Sequence, residues 1–241
     1  MSKERLDKVI SNLGIGSRKD VKILIKQGLV SINGSIAKDP GLQINPAISI
    51  IVIDGKQLTY KEHIYIMMNK PQGVISATYD GRHKTVINLL PPAYANIELF
   101  PAGRLDIDTE GFILLTNDGD FAHEILAPKK HIPKTYFARV DGKVEENDVK
   151  KFKEGIIIDD GYKCLPAELS VLKSAEASDI ELTIYEGKFH QVKRMFEAIG
   201  KTVTYLKRTA MGGLKLDETL ELGECREITD EELKQIKGSR K

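Results

Sequence analysis

The sequence is poor in the features that mark several common kinds of protein chemistry. Cysteine occurs only twice in 241 residues, at Cys164 and Cys225, and neither lies in a CxxC. Two such residues cannot build a disulfide framework, and they read as small buried or half-buried thiols of a cytoplasmic protein. No apolar run approaches the roughly 18 residues that a membrane-spanning helix needs. The first ten residues, MSKERLDKVI, are charged and periodic, without the apolar stretch of a secretory signal. The five histidines, His63, His83, His123, His131 and His190, show no metal-ligand spacing. There is no P-loop, no GxGxxG after a strand and no GxSxG, so ATP, dinucleotide and zinc chemistry lose their usual sequence support. Charge of one sign is scarce too. Thirty-six Lys and Arg against 35 Asp and Glu leave a net charge of +1, which taken alone argues mildly against a nucleic-acid partner.

What is present is enough apolar residue, 41%, to bury a core in one large or two modest domains. Residues 4–12 place Leu6, Val9 and Ile10 at helical spacing, continued by Leu13. Ser17 opens a second helix with Asp20 completing a capping box, Val21, Leu24 and Ile25 form its apolar stripe, and Gly28 ends it. Leu29–Ile32, the Asn33-Gly34 turn and Ile36 read as a hairpin, and 48–53 reads as a further strand before Asp54-Gly55. This αα-then-β module occupies residues 1–59, and 57–63 reads as a polar linker. Over 60–241 the pattern changes to short strands at 64–68, 112–116, 135–140, 180–185 and 202–206, with helices at 121–126, 146–154 and 190–199. Strands dominate without strict βαβ alternation, which predicts an α+β fold with a mainly antiparallel sheet. The basic last five residues read as a frayed tail.

The near-zero net charge conceals a strong asymmetry. Residues 1–26 carry a local +4 and residues 186–208 another +4, whereas 216–235 carry −6. Clusters of Lys and Arg on helix faces are the footprint of phosphate binding, although one such helix alone is as readily a solvated face. In the N-terminal module the candidates are Arg5, Arg18, Lys19 and Lys22.

Two segments stand out chemically. Gly103-Arg104-Leu105-Asp106-Ile107-Asp108-Thr109-Glu110-Gly111 alternates three acids before an apolar strand. As a calcium loop it would need a bidentate Glu where Asn117 stands, and a helix where a strand follows. As an extended segment it would point Asp106 and Asp108 to one side, in the manner of a carboxylate pair; as a polar turn it would bond to its own backbone. The second segment, Glu186–Phe196, places Val192, Met195, Phe196 and Ile199 on one helix face. His190, Lys193, Arg194 and Glu197 fall on another. A cation held there could keep a neighbouring carboxylate ionised.

The runs NKPQG, AGRLDIDTEGFILLTNDGDFAHEILAP, KTYFARV and EGKFHQVKRMFEAIG, in this order, resemble the Rsu-type ribosomal RNA pseudouridine synthases. ERLDKVISNLGIGSRKDVKILIKQGLVSINGSIAKDP resembles the S-four-type RNA-binding domain that precedes many of them. The resemblance implies a cofactor-free isomerisation of uridine, a mainly antiparallel catalytic sheet, and ribosomal RNA, free or in an assembling small-subunit particle, as partner. It implies a monomer working in the bacterial cytoplasm. Asp106 matches the family's essential carboxylate, Tyr136 the aromatic that packs against the target base, and Lys193 the cation that pairs with the acid. Many relatives carry Arg at that position, and Arg194 is the neighbouring alternative. Arg104 could contact phosphate or fill the space that the base vacates. Asn69 and Lys70 would buttress the cleft. The wording of EGKFHQVKRM resembles the branch acting on 16S rRNA more than the large-subunit branch, which tends to carry Asn in place of the aromatic–His pair.

Overall fold

A computed structural model describes residues 3–58 and 60–238. Of the tail expected at 237–241, residues 239–241 lie outside the described residues. The chain forms two compact units. One comprises the residues up to Ile64 together with Leu90–Phe100, and the other comprises Tyr65–Leu89 and everything from Pro101 on. Among the described residues no helix is long and apolar enough to cross a membrane.

In the first unit, α1 (Leu6–Asn12) and α2 (Arg18–Lys26) pack over a small sheet. Leu6, Val9, Ile10, Val21 and Ile25 meet Val30, Ile32, Ile51 and Ile53 in one apolar core. The capping box of α2 is formed: Asp20 N–H donates to Ser17 Oγ at 3.3 Å, and Ser17 N–H donates to Asp20 Oδ2 at 2.8 Å. The hairpin of β2 (Val30–Ile32) and β3 (Ser35–Ile36) turns at Asn33 and Gly34, with φ of 50° and 83°. Positive φ at both central residues gives the turn whose twist matches a right-handed strand pair. Three readings need correction. Glu4–Arg5 is a strand, β1, paired with β4 (Gln43–Ile44), rather than the first turn of a helix. Only Ile51–Ile53 of the 48–53 segment forms a strand, β5. Gln57, read as linker, belongs to β6 (Lys56–Leu58), which pairs with β5 across Asp54-Gly55. A polar strand at a sheet edge has no apolar alternation, so periodicity does not reveal it.

The second unit is built on a sheet ordered β11 (Glu168–Lys173), β12 (Ala177–Ile184), β10 (Lys134–Asp141), β13 (Thr202–Met211), β9 (Glu110–Thr116), β7 (Tyr65–Lys70) and β15 (Cys225–Glu227). The two-residue β8 (Phe100–Pro101) falls at the chain division between the units. Pairing is antiparallel except between β9 and β13, which run parallel. Tyr136, Ala138 and Val140 are buried on β10, and Ser178, Ile180, Leu182 and Ile184 on β12, each at period two. β9 is different: Gly111–Thr116 are all buried, as befits a central strand covered on both faces. Helices α3 (Gly119–Leu126), α4 (Glu146–Glu154) and α5 (Gln191–Glu197) belong to this unit, and Phe152 of α4 meets Phe196 of α5 with ring centroids 4.9 Å apart.

The sequence reading missed β11, the short β14 (Leu214–Lys215), β15 and α6 (Asp230–Lys237). The acidic stretch 216–235 is therefore ordered structure. Thr229 and Glu232 form a capping box, and Arg226 binds both carboxylate oxygens of Glu232 together with Asp217. Asp and Glu crowd the first turn of α6, where they complement the helix dipole.

Candidate active site

The acidic segment enters the sheet at Gly111, and the backbone there explains why. Gly111 has φ of +100°, and a Cβ on it would lie 2.2 Å from Arg208 O and 2.8 Å from Arg208 N. Only glycine lets β9 approach β13 this closely, and the loop before it is thereby fixed against the sheet. Residues 106–109 form a turn closed by Thr109 N–H donating to Asp106 O at 3.1 Å. The extended segment considered from sequence is not present. The loop also rests on Lys70, which is fully buried at the end of β7. Its Nζ donates to Asp106 O at 3.0 Å, Thr109 O at 2.8 Å and Pro71 O at 3.0 Å. Burial lowers the Lys70 ammonium to about 8, against the opposing pull of Asp108, Asp106 and Glu110. Lys70 and the Ser76 hydroxyl, which donates to Leu105 O at 2.9 Å, make the loop a fixed platform.

Lys193 lies on α5 and brings the two motifs together. Its Nζ stands 3.6 Å from Asp106 Oδ2 and donates to Asp108 Oδ1 and Oδ2 at 2.6 and 2.7 Å. The closer partner is thus Asp108, with Asp106 beside it. Burial alone would raise the Asp108 carboxyl, but the hydrogen bonds and charge of Lys193 outweigh it and hold the group below its ordinary range. His190 Nε2 is 3.7 Å from Asp106 Oδ1.

Arg194 does not share this role. It binds Asp159 and Asp160, the latter at 2.7 Å. Successive residues on a helix point about 100° apart, so Lys193 and Arg194 cannot serve the same carboxylate. The expected shared face over 190–197 fails for a further reason: His190 has φ of +49° and stands outside the helix, which begins at Gln191.

A cavity of about 520 Å³, a size suited to a small ligand, is lined by Arg104, Asp106, Lys134, Tyr136 and Arg208. Arg104 is exposed at its edge. Tyr136 is buried on β10 directly opposite Arg208 of β13. Arg208 is 2% exposed, and its Nε donates to Phe112 O at 2.7 Å. Its Nη2 is buried without a hydrogen-bond partner among the described residues. Lys134 donates to Ile132 O at 2.9 Å, and burial, aided by the Arg208 charge, lowers its ammonium to about 8. Sequence reading missed Lys134 and Arg208 as site residues. Each is one charged residue within a strand, and only the sheet register places them beneath the cavity.

The rim is braced by Glu186, which is buried and accepts hydrogen bonds from Leu165 N–H, Tyr162 OH and Gln191 Nε2 at 2.7–2.9 Å. Among the described residues no group of His, Cys, Asp and Glu is placed to hold a metal ion. Cys164 is buried, which pushes its thiol up to about 11, and Cys225 is half-buried; both are free thiols. In the first unit Arg18, Lys19 and Lys22 are exposed on α2. Arg5 differs: its guanidinium forms a two-bond pair with buried Asp7 at 2.8 and 3.0 Å, which neutralises it locally.

A family model described as RNA pseudouridylate synthase matches residues 64–198, and an S4 domain model matches residues 4–47. The chain belongs to the RNA pseudouridylate synthase family. It is similar to an uncharacterised RNA pseudouridine synthase of Bacillus subtilis, at 50% identity over 95% of this chain and 96% of the relative. It is 41% identical to ribosomal large subunit pseudouridine synthase B of the same organism, over 97% and 96% of the two chains. Ribosomal small subunit pseudouridine synthase A of Haemophilus influenzae is 40% identical over 96% of this chain and 99% of the relative. A crystal structure of a pseudouridylate synthase, 38% identical, superposes with a TM-score of 0.67 over 97% of this chain and 99% of that one. The chain is thus an RNA pseudouridine synthase with an N-terminal S4 domain. The carboxylates, ammonium and buried aromatic of the cavity belong to an isomerase that acts on RNA.

Proposed function

We propose that the enzyme converts a specific uridine of 16S ribosomal RNA to pseudouridine in the bacterial cytoplasm, as a monomer without a cofactor, with Asp106 as the essential carboxylate. One observation carries the assignment of the acid. The Asp106 carboxylate opens on the cavity that Tyr136 lines, with Lys193 and His190 each within 4 Å of its oxygens. The glycosidic carbon–nitrogen bond must break, the uracil must turn, and a carbon–carbon bond must form at ring carbon five. A carboxylate beside an ammonium can act in this sequence as nucleophile or base. The target base leaves its stack to reach the cavity, and Tyr136 packs against it. Arg104 meets the RNA at the cavity edge, and Lys193 holds Asp106 and Asp108 in register.

Overall identity does not separate a 16S from a 23S target, since relatives of both kinds stand at 40–41%. The choice of 16S rests on the Phe189-His190 wording of the Glu186–Phe196 segment. The substrate is free 16S rRNA or the assembling small-subunit particle, and Arg18, Lys19 and Lys22 of the S4 domain supply phosphate contacts.

Asp106→Asn should bind RNA yet release no detectable tritium from uridine labelled at ring carbon five. Full turnover by that variant would remove Asp106 from the reaction. Carbodiimide-based primer extension on both rRNAs from a strain lacking the gene should find the lost site in 16S rRNA. A site lost from 23S rRNA instead would overturn the target while leaving the chemistry in place.

A further inference from the structure

The connection between β12 and α5 carries a feature that the isomerisation itself does not use. Phe189 lies on the cavity rim and is 66% exposed, although it is a large apolar side chain. Its ring stacks on that of the next residue, His190, with centroids 3.7 Å apart and planes inclined by 20°. Consecutive side chains rarely stack in parallel. Here the left-handed backbone of His190, φ 49° and ψ 31°, turns its ring onto its neighbour. A non-glycine residue persists in that region when its surroundings over-determine it.

The surroundings do so. Lys188 N–H donates to Gln191 Oε1 at 2.9 Å, and Gln191 is itself anchored on buried Glu186. Arg194 Nη1 donates to Phe189 O at 3.3 Å. The backbone that carries the pair is therefore held by hydrogen bonds, while the Phe189 ring, stacked on His190, stays open to solvent.

We propose that the Phe189–His190 pair is a second base-binding subsite, which stacks the nucleobase adjacent to the target uridine. This rests on the placement of the target uridine beside Asp106 and Tyr136. His190 links the two places: its Nε2 is 3.7 Å from Asp106, while its ring supports Phe189. A uridine drawn out of an RNA strand leaves its neighbour without a stacking partner on that face. That neighbour is one nucleotide from the cavity. RNA-binding proteins meet such unstacked bases with aromatic faces. The rim also carries Lys188, an ammonium fit for the connecting phosphodiester. An aromatic face accepts any base, so the subsite senses whether the neighbouring nucleotide is unpaired and free to stack. It would select uridines in loops over uridines in duplex.

The test uses the full chain and the rRNA fragment around whichever uridine it modifies, tritiated at ring carbon five. Three fragments are compared: native, abasic on the 5′ side of the target, and abasic on the 3′ side. On the native fragment Phe189→Ala should lose between about 5- and 150-fold in kcat/KM, the range of one base–aromatic stack, mainly through KM. Phe189→Trp should retain activity. One of the abasic fragments should impose the same loss on the wild-type enzyme and abolish the difference between it and Phe189→Ala. Because Phe189 is largely exposed, unchanged thermal melts should accompany the kinetic effect. The proposal is overturned if Phe189→Ala matches wild type on the native fragment. It is equally overturned if the difference persists on both abasic fragments, which would assign the rings to another contact. Modification in 23S rather than 16S rRNA would overturn the target and not the subsite.

Discussion

Lys193 holds together the parts of the site that the sequence keeps apart. It bridges Asp106 and Asp108, 85 residues away from the latter, with a single ammonium. A hydrogen bond to a charged group is worth about 1.5–3 kcal/mol, so Lys193→Met should lower kcat/KM by roughly 10- to 150-fold in tritium-release assays. Lys193→Arg should recover most of it, because a guanidinium fork can also serve two carboxylates. The sign of the pH effect follows from Asp108, whose carboxyl the Lys193 charge holds low against the effect of burial. Without that charge the group binds a proton more readily. The acid limb of the kcat/KM profile should therefore move to higher pH in Lys193→Met, and an unmoved limb would free Asp108 of any influence on the reaction. Lys70 acts on the same loop differently, through the backbone carbonyls of Asp106 and Thr109, and so holds the Asp106 backbone without touching its carboxylate.

At the scale of elements, legibility followed periodicity. Helix α2 was readable because its capping residues and apolar stripe agree, and the Asn33-Gly34 hairpin because its turn demands those residues. α6 was not readable, because its sequence DEELKQIK holds two apolar residues, of which Ile236 alone is fully buried. It is held by charge as well as by that contact. Arg226 clasps Glu232 and Asp217; the Thr219 hydroxyl together with Arg226 draws the Asp217 carboxyl down to about 2, and Arg226 draws that of Glu232 down to about 2. Such groups add stability above their ordinary values near 4 and lose it as pH falls toward 2. The urea midpoint should accordingly fall between pH 4.5 and pH 2.5. Arg226→Met should be less stable at pH 7 and should show a smaller drop over that interval. An identical acid response in the variant would show that other carboxylates set it.

For the whole molecule, net charge was the wrong quantity. The value of +1 averages a basic S4 domain and a basic α5 region against an acidic C-terminal segment that is internally paired. The distribution predicts how RNA affinity depends on salt. Replacing Arg18, Lys19 and Lys22 with neutral residues should lower the slope of log K against log salt by roughly 2–3 units, as expected for three lost phosphate contacts. Arg5→Gln should change that slope less, because Asp7 already neutralises Arg5. An unchanged slope in the triple variant would make the α2 face an ordinary solvated surface.

The sequence by itself determined the α+β class, the two kinds of local pattern, the absence of a disulfide framework, and, through its ordered motifs, the family. Those properties reside in residue identity and short-range spacing, which the chain carries whether or not it is folded. Only the tertiary structure decided the rest. It set Lys193 closer to Asp108 than to Asp106, turned Arg194 away to Asp159 and Asp160, buried Lys70 beneath the Asp106 loop, brought Lys134 and Arg208 to one cavity, and stacked Phe189 on His190 at its rim. Each of these depends on which strands are neighbours and in what register, or on one backbone angle. Sequence spacing does not encode the distance between residues 85 positions apart; the folded placement of α5 beside the loop before β9 does.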